Sequence, residues 1–170
     1  DVAGSATTQT RKIIRNSLAF ENTNVGIAGN PGVAETHPQG IEMINDIAYH
    51  NGNGGIAIVW QNTKGLVRNT ISYDNMGYDN TIRNYDFNGA DVTHDHNSFD
   101  SNVKVTDGDF LSLDSSCMDD ARKADGSLPD CEFLHLAPGS DLIGNGTNVG
   151  LATDGAGRPW KNPPSIGAFE

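Results

Sequence analysis

His94 and His96, on either side of Asp95, are the residues of this 170-residue chain most plainly spaced for chemistry. On an extended chain, residues two apart share a face, so both imidazoles could serve one metal ion. No third ligand follows at a fixed spacing, and a surface strand with satisfied histidines is the expected outcome. Asp74, Asp79, Asp86 and Asp91 form a second set, because calcium takes several oxygen ligands. Their spacing matches no calcium loop, and Asp at corners ordinarily serves turns. Cys117 and Cys131 stand 14 positions apart. They read as a structural disulfide of an oxidising compartment, with two free thiols as the alternative. No base is evident that would make either a nucleophile. Gly52 to Gly55 is a tight corner and not a phosphate cradle, since no helix or Lys follows it. Asn145-Gly146-Thr147 fits a glycosylation sequon, a triplet frequent by chance.

The composition restricts what these residues serve. Lys plus Arg is 11 and Asp plus Glu is 22, a net charge of −11. A general nucleic-acid or anionic-membrane binder needs a basic face, so both classes are excluded. No apolar run is long enough to span a membrane. Only 19% of residues are charged and 36% are hydrophobic, which makes the chain polar without the ionic bias of disorder. It opens on Asp1 without an initiator Met, so a processed chain or a piece of a longer one is expected.

A repeat sets the architecture. Ile14 to Asn22, Met43 to Asn51 and Val67 to Asn75 share one pattern: apolar-x-Asn-x-aliphatic-small-aromatic-x-Asn. Thr93 to Phe99 is a degraded fourth copy. The anchoring Asn16, Asn45 and Asn69 are 29 and 24 residues apart, so each copy is one coil of constant core and variable loop. Alternation within a copy has period 2, which predicts a strand. Ile14, Asn16, Leu18 and Phe20 are expected on the inner face. Phe20, Tyr49, Tyr73 and Phe99 then form an internal aromatic stack, and Asn16, Asn45 and Asn69 an internal amide ladder. A second strand follows in each coil at Val25–Ala28, Gly55–Val59 and Tyr85–Phe87. Short strands recurring about every two dozen residues, with Gly and Asn at the corners, predict an all-β fold, a right-handed parallel β-helix. Coils are assigned to residues 1–102. Residues 103–170 are an irregular C-terminal capping segment, with a short helix or turn near Asp107–Asp114, a strand at Phe133–Leu136 and a closing strand at Pro164–Glu170.

The run from Thr7 to Phe20 resembles the later coils of pectate-lyase-like proteins, specifically polysaccharide lyase family nine. Asp91–Phe99 followed by Val105–Asp114 resembles that family's exit from the helix. Arg122–Pro129, Leu136–Ser140 and Ile166–Glu170 resemble its C-terminal segment. The resemblance covers nearly the whole chain. It implies β-elimination on pectate or related uronic-acid polymers, with calcium held by an Asp cluster and a lysine as base. It also implies a secreted or cell-surface protein of bacterial extracellular type. The family's lysine lies in a strand just before the coil that opens this chain, and its acidic cluster lies further upstream. Val25 to Asn30 carries Ala and Gly where relatives often carry acidic residues. No catalytic residue is therefore transferred, and the calcium ligands are expected outside this chain.

The resemblance places the cleft on the second-strand sheet. Its outward residues are expected to be Ala28, Ala57 and Asp86, flanked by Asn30, Val59 and Asn88. The substrate-binding candidates are Asn30, His37, Trp60 and Arg83, with Glu35 and Lys64 on the same loops. Trp60 offers a rigid apolar face to a sugar ring or, alternatively, covers a corner. Outward positions beside the Asn ladder are Arg15, Ile44, Arg68 and His94. Two arginines two coils apart, about 10 Å at ~4.8 Å per strand step, match a disaccharide repeat. Ordinary solvent-facing charge is the competing reading. Two functions remain. The chain is the C-terminal part of a secreted polysaccharide lyase, acting on an acidic polysaccharide and inactive by itself. Alternatively it is a structural or adhesive coil stack that assembles with an N-terminal part, or with itself, through its first coil.

Overall fold

A computed structural model describes residues 12–29, 40–59, 64–100 and 103–170. Among these residues ten short strands wind into a parallel β-helix: β1 (Lys12–Arg15), β2 (Leu18–Phe20), β3 (Ile27–Gly29), β4 (Gly40–Ile44), β5 (Ile47–Tyr49), β6 (Ile56–Ile58), β7 (Lys64–Arg68), β8 (Ile71–Tyr73), β9 (Tyr85–Asp86) and β10 (Asp91–Asp95). They stack as three parallel sheets, in the orders β1-β4-β7-β10, β2-β5-β8 and β3-β6-β9. Among the described residues no helix is long and apolar enough to cross a membrane.

The repeated motif is two strands, not one. Asn16, Asn45 and Asn69 adopt the left-handed conformation, with φ of 49°, 56° and 52°, and form the corner between the first and second sheets. Asn tolerates that region better than most side chains, which is why one Asn recurs there. A left-handed residue breaks the alternation, so the second strand of each motif presents the opposite parity. Ala48 packs inside with Ile41, Met43, Ile56, Ile58 and Val67, and Ala19 packs against the same core. Leu18, Phe20, Ile47, Tyr49, Ile71 and Tyr73 face away from it. They meet Phe110, Phe133, Leu142, Ile166 and Phe169 of the C-terminal segment. The expected aromatic stack therefore exists on the outer flank. Tyr49 stacks on Tyr73 at 6.2 Å, and Phe20 meets Phe133 edge-on at 4.9 Å. Phe99 belongs elsewhere, against Tyr85 at 4.5 Å on the last coil.

The amide ladder also moves. Asn51 Nδ2 donates to Asn75 Oδ1 at 2.8 Å, and Asn22 Nδ2 donates to Asn51 Oδ1 at 2.8 Å. These are the second Asn of each motif. Of the first set, only Asn69 and Asn45 bond each other, at 3.1 Å. Asn16 and Asn69 instead tie down the C-terminal segment. Asn16 Nδ2 donates to the Thr153 carbonyl at 3.0 Å. Asn69 exchanges two bonds with the Thr147 backbone, at 2.7 and 2.8 Å. The fourth copy is shifted by one residue from the sequence alignment. Asp95, not His94, pairs with Arg68, and His96 takes the left-handed corner with φ 54°.

Residues 103–170 run along the flank of the stacked coils. They contain 3-10 turns at Asp107–Asp109 and Ser116–Asp119, and elsewhere only isolated bridges, among them Phe110 to Leu136 and Ser112 to Phe133. Neither Phe133–Leu136 nor Pro164–Glu170 forms a continuous strand. Side chains supply the order that strands would otherwise give. Asp109 accepts from the Thr106 backbone, the Ser140 hydroxyl and the Asp141 backbone. Burial works to raise its carboxyl, but these bonds outweigh it and hold it below the usual range. Cys117 and Cys131 form a disulfide, with their Cα atoms 5.8 Å apart.

Candidate functional site

The third sheet presents a narrow shelf of small residues. Ile27, Ile56 and Ile58 point into the core, so the alternate positions Ala28 and Ala57 point out. Ala28, Ala57 and Asp86 stand in one register across β3, β6 and β9. That is the register the repeat predicts. Two methyl groups in line leave the backbone open to an extended ligand.

Arg83 borders this shelf. Its backbone is fixed by its own coil and by the preceding one: its N–H donates to the Asn75 carbonyl at 2.7 Å, and its carbonyl accepts from the Gly55 N–H at 3.0 Å. Gly54, at φ +116°, lies under its side chain, where an added Cβ would stand 3.5 Å from Arg83 Cδ. The guanidinium reaches Asp86 at only 3.7 Å and is half-exposed. Beside it, Met76 and Ile82 bridge to close a small hairpin. Asp79 at the tip is bonded by the Thr81 hydroxyl and N–H, which holds its carboxyl below the usual range. The hairpin exposes Tyr78, which is 79% accessible. Nothing in the repeat predicts that ring, because the hairpin interrupts the repeat.

The other sequence candidates are placed as follows. Asn30, His37 and Trp60, with Glu35, lie outside the described residues. Lys64 is exposed at the start of β7, in register with Gly40 and Asp91. Arg15 and Arg68 do stand two coils apart in one register, with Ile44 between them. Arg68, however, is engaged: Nε contacts both Asp95 carboxylate oxygens at 3.0 and 2.9 Å. Burial works to raise Asp95, and the Arg68 and His96 bonds outweigh it, holding the carboxyl low. His94 and His96 do not converge. His94 Nδ1 bonds Asp100 at 2.7 Å, and His96 Nδ1 bonds Asp95 at 2.8 Å.

The four corner aspartates are likewise dispersed. Asp74 pairs with His50 at 2.8 Å, Asp79 holds its own turn, and Asp86 accepts from the Asn88 N–H at 3.0 Å. Among the described residues no group of three or more His, Cys, Asp or Glu is placed to hold a metal ion. The described residues therefore do not fit a calcium centre. Among the described residues the shelf carries no assembled acid–base pair.

No protein-family model matches the chain. It is 32% identical over 146 residues to pectate lyase L of Paenibacillus polymyxa (strain SC2), an alignment covering 81% of this chain and 29% of that protein. It is 31% identical over 160 residues to pectate lyase L of Dickeya chrysanthemi, covering 92% and 33%. The crystal structure of pectate lyase Pel9A superposes on 93% of this chain and 35% of its own, with TM-score 0.59 and 27% identity. The chain is a pectate-lyase-like parallel β-helix. It spans about a third of the length of the curated relatives it matches. In this pectate-lyase-like coil stack, two features invisible to the motif alignment bear on the site. The Asn22-Asn51-Asn75 ladder ends at Asn84, whose Oδ1 accepts from the Asn75 N–H at 3.2 Å, and so sets the backbone next to Arg83. Ser72 Oγ also donates to the Asn84 carbonyl.

Proposed function

We propose that this chain supplies the C-terminal part of an extracellular pectate-lyase-like protein, and that its third sheet guides a uronic-acid polymer past the shelf of Ala28, Ala57 and Asp86. The observation that carries this reading is the shelf itself: a row of small residues in register, bordered by a half-exposed arginine whose contact with Asp86, at 3.7 Å, is long and leaves it reachable from solvent. Arg83 meets uronate carboxylates, since a guanidinium matches a carboxylate in charge and geometry. Asn30, His37 and Trp60 are the further polymer-binding residues of this reading. The likeness to two pectate lyases and to Pel9A supports the substrate class. The lysine base and the calcium ligands of the reaction lie upstream of these coils, so this chain by itself binds polymer without cleaving it.

The test is a pair of assays on the purified chain. Polygalacturonate binding is measured by affinity electrophoresis, and formation of unsaturated uronide by ultraviolet absorbance with calcium present. The expected result is retardation without absorbance growth. Absorbance growth would overturn the assignment of the catalytic groups elsewhere. Absence of retardation, together with end-to-end multimers in sedimentation, would replace the groove reading by the structural coil stack.

A further inference from the structure

A second concave site lies away from the shelf, within the C-terminal segment. The loop closed by Cys117 and Cys131 forms one wall, and Ala156, Arg158 and Phe169 lie on the other, around a cavity of about 530 Å³. That size falls within the ordinary range of small-ligand pockets. Phe133 and Phe169 line it and are almost fully buried. His135 stacks flat on Phe169, with ring centroids 4.0 Å apart and 9° between planes. Leu111 and Leu128 add apolar surface, and Leu111 is 48% exposed.

Three polar side chains lining this cavity, Arg158, His135 and Glu132, have no side-chain partner among the described residues. Arg158 is held by its backbone: its N–H donates to Asp154 Oδ1 at 2.7 Å, and its carbonyl accepts from the Asp154 N–H at 2.8 Å. Its guanidinium pairs with no carboxylate among the described residues. It lies close enough to His135 to add to burial in lowering that imidazole's basicity. The His135 ring itself makes no hydrogen bond among the described residues. The other lining cation, Lys123, is already tied to Asp130 at 2.5 Å. In a chain of net charge −11, an exposed, unpaired guanidinium on an anchored backbone beside a partner-free imidazole is an available anion contact, in a cavity whose lining also carries the Asp130 and Glu132 carboxylates.

We propose that this cavity binds a single sugar ring carrying one carboxylate, a hexuronate, with Arg158 taking the carboxylate and the Leu111, Leu128 and His135 surfaces taking the C–H faces of the ring. The choice of a uronate among carboxylated rings rests on the polymer reading above. The guanidinium supplies bidentate recognition, and the stacked His135 and Phe169 rings supply a rigid apolar floor. Because the disulfide-closed loop is one wall, the pocket requires the oxidised protein.

The experiment is an amide-resolved NMR titration of the full chain with galacturonic acid, its methyl ester and galactose. The expected result is saturable shifts confined to residues 111–135 and 156–169 for galacturonic acid. Binding should be at least tenfold weaker for the ester, for galactose and for Arg158→Gln. Leu128→Trp fills the cavity from a half-buried position at the edge of the core and should abolish binding with an unchanged circular dichroism spectrum; reduction of the disulfide should do the same. Galacturonic acid binding that survives Arg158→Gln, or shifts located elsewhere, overturns the proposal. So does the absence of any saturable shift. Monomer bound here while polygalacturonate is not retained would sink the groove reading and leave this site standing. The reverse outcome would sink this site alone.

Discussion

Asn51 and Asn75 lie on consecutive coils, and Asn75 Oδ1 accepts both the backbone N–H of Asn51 at 3.0 Å and its side-chain Nδ2 at 2.8 Å. Both residues are fully buried. Asn75 Nδ2 meanwhile donates to the Ala48 carbonyl at 3.0 Å. One side chain thus satisfies donors of its neighbour and an acceptor of its own interior. Asn75→Ala removes the side-chain partner of the buried Asn51 N–H and the Ala48 carbonyl and leaves Asn51 Nδ2 only the Ala19 carbonyl, at about 1–3 kcal/mol for each group left unsatisfied. We expect a total loss of roughly 3–5 kcal/mol, read as a lower urea midpoint with an unchanged slope. A loss under 1 kcal/mol would mean that water replaces the amide and that the ladder is not a source of stability.

Phe133 joins the coils to the flank. It meets Phe20 at 4.9 Å and Tyr49 at 5.9 Å, and is 1% exposed. Truncating a buried Phe costs about 3–5 kcal/mol. Phe133→Ala is expected to loosen residues 103–170 before the coils, because the interior cluster around Met43, Ile56 and Val67 does not include it. Hydrogen exchange should speed up across the C-terminal segment and stay slow in β4 to β8. Uniform acceleration would show that coil and flank unfold as one unit.

The stacking of coils was legible because each position in a coil repeats its residue type, and Ala28, Ala57 and Asp86 fall into the predicted register for that reason. The direction of the aromatic residues was not. A left-handed Asn16 is indistinguishable in sequence from a strand Asn, yet it inverts the parity of Leu18, Ala19 and Phe20. His96 fills the corner that Asn16, Asn45 and Asn69 fill elsewhere, which hid the one-residue shift of the last copy. The cavity around Arg158 had no sequence signal, because Leu111, Leu128, His135 and Phe169 meet only through the tertiary course of an irregular segment.

Arg68 and Arg83 separate two surfaces that composition alone cannot rank. Arg68 is already neutralised by Asp95 on the next coil at 2.9 Å, whereas Arg83 has a longer contact with Asp86, at 3.7 Å, and a weaker electrostatic interaction with Asp79. Both pairs are partly exposed, so neither contributes more than about 1 kcal/mol to stability. Arg83→Ala should weaken polygalacturonate binding about three- to tenfold, the loss of one solvent-exposed ion pair per site. Arg68→Ala should leave it unchanged. Affinity electrophoresis at two salt concentrations checks both. A larger loss with Arg68→Ala would move the polymer to the first sheet.

Asp46 gives the fold a pH dependence opposite to that of ordinary acid denaturation. It is completely buried, and desolvation lifts its carboxyl from 3.8 to about 7 against the hydrogen bonds that lower it, chiefly the Ser17 backbone N–H at 2.9 Å. Its Oδ2 has no hydrogen-bond partner among the described residues, which leaves burial the dominant influence on the carboxyl. Between pH 4 and 7 the folded chain holds a proton that the unfolded chain has released, so unfolding sheds a proton and stability falls as pH rises. The contribution is fully present below pH 4, declines through that window and is gone above about pH 7. Its full span is on the order of 4 kcal/mol. Asp46→Asn keeps an oxygen for Ser17 and removes the charge. It should raise stability at pH 8 by about 1–3 kcal/mol and flatten the slope between pH 4 and 7, as measured by urea unfolding at several pH values. An Asn variant less stable than the parent at pH 8 would mean that Asp46 is ionised in the fold at no cost.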